Sequence, residues 1–155
     1  MGSNPTLSAI SKRVLLSFVG AVLVATALGS IVQTQFNLAA ISGLGVDISL
    51  GTRLATTLHD LGMFTPVFGT IVFATLLVAL PLAALLARLM PALTGILFFA
   101  AGAVGIWVSF QLIDALLPMP TFIGATRSTV GTLTMMLAVG FATWVFARIA
   151  LRPGR

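Results

Sequence analysis

The chain contains no cysteine, which excludes disulfide exchange, thiolate metal sites and cysteine nucleophiles. Groups able to carry a proton or a metal near neutral pH are almost as scarce. There are three carboxylates, Asp47, Asp60 and Asp114, and a single histidine, His59. A tetrahedral zinc site needs three or four ligands at suitable spacing, and one His with three scattered Asp forms no such pattern. Haem would have to use His59 with a methionine or with a second chain, and the six methionines read more simply as packing filler. No metal and no cofactor is therefore expected. Catalytic residues are not expected either: Ser42 and Ser49 lack a GxSxG-like context. His59 and Asp60, as helix neighbours about 100° apart, form no dyad by adjacency.

Charge of either sign is also sparse. Only 7% of the 155 residues are charged, against about 25% in a soluble domain, while 59% are apolar and the mean hydropathy is +1.16. Water is not the main solvent for such a chain. The net charge of +5 does not point to nucleic acid, because Lys and Arg are scattered instead of clustered into the basic face that replaces phosphate counterions.

What is present is a set of long apolar runs. Four spans are predicted, at about 14–34, 66–89, 92–117 and 128–150, each near or above the roughly 20 residues that cross a hydrocarbon core of about 30 Å. Lys12 and Arg13 ahead of the first, with Ala25-Thr26-Ala27 within it, have the form of a signal peptide; the segment is read here as the first membrane helix. Residues 1–11 read as a short polar tail, and Gln33, Thr34, Gln35 and Asn37 as the polar end of the first span. Pro66 suits the first turn of the second span, and Pro81 is expected to kink it. The third span stops before Pro118 and Pro120.

Between the first two spans, residues 35–65 form an outer loop. Gly43 and Gly45 interrupt any continuous helix there. Beyond them Leu50, Leu54, Leu58 and Leu61 recur at helical spacing, while Thr52, Arg53, Thr56, His59 and Asp60 fall largely elsewhere. This predicts a short amphipathic helix that lies on the membrane surface or caps the bundle. The expected fold is an all-α integral membrane protein, one domain over 1–155. It is an antiparallel four-transmembrane-helix bundle with that helix capping its outer face.

Orientation follows from the basic residues. With the N-terminus inside, Lys12, Arg13, Arg88, Arg148, Arg152 and Arg155 are cytoplasmic and only Arg53 and Arg127 lie outside, as the positive-inside rule asks. Both termini are then cytoplasmic, and a bacterial inner membrane is the expected location. Trp144 and Phe146 would sit near the inner interface, Trp107 and Phe110 towards the outer one.

Without a hydrophobic drive in lipid, helices need close contact and hydrogen bonds to associate. Each span offers small residues four apart: Ala21, Ala25 and Gly29; Ala79, Ala83 and Ala87; Ala101, Gly105 and Ser109; Thr134, Ala138 and Ala142. These stripes suit a tight bundle and equally a homo-oligomer or a contact with other membrane subunits, so the expected partners are the lipid bilayer and such chains. The candidate polar site is on the outer side: Arg53, His59, Asp60, Gln111, Asp114 and Arg127. Asp114, one turn from Gln111 and close to Arg127 across a short loop, is either an interfacial carboxylate pinning the hairpin or a proton, cation or ligand site.

Three functional readings follow. The first is a non-enzymatic accessory subunit or scaffold acting by helix association. The second is a small oligomeric transporter or channel with a vestibule around Asp114, and the third is a lipid-modifying enzyme at the outer leaflet. Four-span disulfide-forming oxidoreductases require cysteines, and small multidrug exporters typically place an acid within the first helix; Val14–Thr34 has none.

Overall fold

The computed structural model describes the backbone of residues 5–117 and 123–151, with side chains from Ser11 onward. It is all-helical over those residues. In chain order there are α1 (Pro5–Ser42), α2 (Leu50–Met63), α3 (Thr65–Leu89), α4 (Thr94–Leu116) and α5 (Thr129–Ala150), with short 3₁₀ turns at Pro91–Leu93 and Gly124–Arg127. All but α2 are long and apolar enough to cross a membrane. Pro118 and Pro120, part of the loop that follows α4, and Arg152 and Arg155 lie outside the described residues.

The first helix departs from the sequence reading at both ends. It begins at Pro5 instead of after a polar tail, because proline's fixed φ and missing N–H suit a first turn. It also continues past Thr34 to Ser42, making 38 residues and roughly 57 Å of length. Gln33, Thr34 and Gln35 of the polar cluster that was expected to end it find partners on other elements, so the backbone has no reason to leave the helix. The stop comes at the glycines: Gly43 N–H donates to Ala39 O at 3.0 Å, and Gly45 takes a left-handed φ of 87°, which glycine alone adopts without strain.

Ser49 then caps α2, accepting from Thr52 N–H at 3.1 Å. Only Phe64 separates α2 from α3, and Pro66 occupies the first turn of α3. That helix is continuous through Pro81 to Leu89. Ser128 caps α5 by accepting from Gly131 N–H at 3.0 Å.

The four long helices close into a ring: α1 packs on α3 and α5, and α4 packs on the same two. Phe68, Val72, Leu76, Leu80 and Ala83 of α3 face inward at helical spacing. They meet Ala21 and Ala25 of α1, Phe98, Ile106 and Phe110 of α4, and Met135, Val139 and Phe146 of α5. Phe110 and Phe146 are thus core residues, one turn along from buried Ile106 and Ala142. Trp144 instead stays partly exposed, with the Arg148 guanidinium 4.8 Å from its ring centroid.

The outer surface is apolar as well: Leu77, Val78, Leu82 and Leu85 of α3 are all exposed. A helix apolar on every side is at home in lipid, where packing and hydrogen bonds must supply cohesion. Interhelical bonds among the described residues do so within the ring, one of them between Ser30 of α1 and Thr65 of α3. Thr75 and Ser109 hydroxyls meet at 2.6 Å between α3 and α4. The Thr143 hydroxyl of α5 lies 2.8 Å from the Phe98 carbonyl of α4. It shares its one hydrogen between that acceptor and the Gly140 and Val139 carbonyls of its own helix.

The small residues make these approaches possible. Ala21, Ala25, Gly29, Ala79 and Ala83 are buried; Ala87, Ala101, Gly105 and Ser109 are half-buried. Gly105 faces Thr75 and Ala79 of α3, while Gly102 lies against Thr143 of α5. On α5, Ala142 is buried and Thr134 and Ala138 are half-buried; its inward face is carried mainly by Gly131, Met135, Val139, Thr143 and Phe146.

Candidate functional site

The polar side chains gather at one end of the bundle, where the end of α1, α2 and the Gly124–Arg127 turn meet. The C-terminal third of α1 presents Ser30, Gln33, Thr34, Gln35 and Asn37 over about two turns. Ser30 and Thr34, four apart, share one face and are fully buried at 0% exposure. Such groups are costly unless bonded.

Each finds a partner. The Ser30 and Thr65 hydroxyls lie 3.1 Å apart. Thr34 Oγ1 donates towards Asp60 Oδ2 at 2.8 Å and also lies 2.9 Å from Ser30 O; with one hydroxyl hydrogen to give, the charged acceptor is the stronger. Gln35 Nε2 donates to Thr57 Oγ1 at 3.0 Å, and its Oε1 accepts from Arg53 Nη1 at 3.3 Å. Gln33 Oε1 accepts from the Ala125 N–H at 2.7 Å. That bond fastens the turn before α5 to α1, and Gly124 leaves room there for Asn37 and Gln33.

The effect on α2 is an inversion of the usual amphipathic arrangement. Its polar face, carrying Arg53, Thr57 and Asp60, turns towards α1. Leu50, Leu54 and Leu58 are left outward at 80%, 65% and 68% exposure. A soluble protein would hide that stripe; here it faces the surroundings of the bundle.

Of the residues singled out in the sequence, Arg53 and Asp60 are brought to α1 by these bonds. His59 is exposed, and so are Gln111, one turn before Asp114, and Arg127 in the 124–127 turn; Asp114 is half-buried near the end of α4. No group of three or more His, Cys, Asp or Glu gathers among the described residues. The sequence reading missed Ser30, Thr57 and Thr65. Ser30 was findable as the residue one turn before Thr34, and Thr57 as the residue one turn after Arg53. Thr65 had no local signal, since its partner is 35 positions away.

Chemically, this end joins elements. Its hydroxyls and amides are used as donors and acceptors between α1, α2, α3 and the 123–127 segment. The class so defined is a helix-bundle membrane protein with a hydrogen-bonded polar end. Comparison with protein-family models, curated proteins and solved structures finds no match in any of the three.

Proposed function

We propose that the chain is a non-enzymatic integral membrane protein acting by helix association, as an accessory subunit or scaffold of a membrane complex. The observation that carries this reading is the outward stripe Leu50, Leu54 and Leu58 on a helix whose polar face is bonded to α1. A stripe held outward by hydrogen bonds on its other side is a presented surface. In this reading the four long helices run antiparallel across a bacterial inner membrane. Their basic end is cytoplasmic, and α2 is an interfacial helix on the opposite face. The small residues of α1, α3 and α4 are largely occupied inside the chain, which makes α2 the better candidate for contact with another subunit.

The test is gentle extraction from the native membrane, followed by native mass measurement and identification of co-purifying chains with their stoichiometry. A partner at fixed ratio is expected, and Leu54→Gln with Leu58→Gln should lower its recovery while leaving the unfolding transition of the bundle in place. A homo-oligomer or a monomer without partners, unchanged in the double variant, overturns the subunit reading.

A further inference from the structure

Opposite the polar end, the start of α1 and the end of α5 border a groove of about 650 Å³, with Lys12 and Arg13 at one end and, apart from Ser17, an apolar lining beyond them. We infer that this groove binds one anionic phospholipid, its phosphate on Lys12 and Arg13 and an acyl chain along Gly20 and Val24 against Phe146.

Three observations converge on that occupant. Lys12 is exposed and Arg13 half-buried at the mouth of the groove. The Arg13 Nε is shielded and hydrogen-bonds nothing among the described residues, so the remaining guanidinium nitrogens and the Lys12 ammonium are the groups left to a phosphate, whose oxygens match the planar fork of Arg. Second, no side-chain carboxylate competes for these cations: Asp47, Asp60 and Asp114 lie after α1, on α2 and near the end of α4, all towards the other end. Third, the lining fits a lipid better than a free anion. From Arg13 to Val24 the helix rises roughly 16 Å, about the depth of one leaflet's hydrocarbon, and the floor is widened by Gly20, Ala21 and Ala142. Basic pockets between membrane helices are suited to anionic head groups. A soluble phosphate would use the cations and leave the apolar groove without a role.

Gly20 provides a clean probe, because a Cβ added there meets nothing within 4 Å. Gly20→Leu therefore fills the groove without displacing backbone or altering charge. The experiment counts lipids retained by the full chain in native mass spectra, after exchange into nanodiscs of phosphatidylglycerol and phosphatidylcholine mixtures. One phosphatidylglycerol per chain is expected to persist. Arg13→Gln should weaken its retention about fivefold, as expected for removing one cation near an anionic surface, and Gly20→Leu should abolish it. Arg88→Gln, the same charge change elsewhere at this end, should leave it unchanged.

Equal losses in Arg13→Gln and Arg88→Gln, with Gly20→Leu retaining the lipid, would show diffuse attraction and overturn the proposal. Displacement of the lipid by millimolar inorganic phosphate would overturn it too, since the head group alone would then explain binding. Arg13→Lys, which keeps the charge without the fork, serves if Arg13→Gln does not fold; it should weaken retention, and unchanged retention overturns the role of the guanidinium.

Discussion

The same substitution, Gly→Ala, should have opposite consequences at two positions of this bundle. At Gly20 the added methyl enters open space, so only the helix preference of Ala over Gly acts, worth up to about 1 kcal/mol of stabilisation. At Gly102 it meets the Thr143 hydroxyl directly, with Thr143 Cγ2 at 2.7 Å and Cβ at 3.0 Å. Thr143 cannot swing aside freely, because its hydroxyl holds the Phe98 carbonyl at 2.8 Å and the residue is fully buried. Overpacking costs about 1–3 kcal/mol, and loss of the interhelical bond adds roughly 0.6 kcal/mol in a membrane setting. Set against the helix preference, Gly102→Ala should be destabilising by about 1–2.5 kcal/mol. The assay is reversible unfolding in mixed micelles titrated with dodecyl sulfate, followed by Trp107 and Trp144 fluorescence. Combining Gly102→Ala with Thr143→Ala removes the two shortest contacts, so the pair should show a rescuing coupling of about 1 kcal/mol or more. If Gly102→Ala is as stable as Gly20→Ala, or the double variant shows no coupling, the α4–α5 contact is not the close approach described.

Two further experiments probe the polar contacts. Gln33→Leu leaves the buried Ala125 N–H without its acceptor; the loss should be about 1–3 kcal/mol, with faster amide exchange confined first to residues 123–127. A cycle of Thr75→Val and Ser109→Ala should give a coupling of roughly 0.6–1.7 kcal/mol for their shared hydrogen bond, read from the same unfolding titration, and a coupling near zero would remove it as a source of cohesion.

Much of the architecture was legible before any coordinates, because solvent selects so strongly. Apolar runs of twenty residues or more have few alternatives in lipid, where backbone groups must bond within their own segment. Helicity, the count of long apolar helices and the stop at Gly43 and Gly45 are all consequences of local composition. The helical spacing of Leu50, Leu54 and Leu58 was equally plain in the sequence.

Other features depended on residues far apart in the chain. Thr34 and Gln35 read locally as a helix end, yet Asp60 and Thr57 engage them and α1 runs on to Ser42. Gly105 was read as a packing residue and Gly102 was not singled out, and spacing alone cannot tell which neighbour each meets: Thr143 on α5 for Gly102, Thr75 and Ala79 on α3 for Gly105. The direction of α2's leucines was likewise open. Periodicity defines two faces of a helix without saying which one turns inward, and in a lipid solvent the apolar face gains little by doing so. The hydrogen bonds from α1 settle the matter, and they exist only once the helices have met.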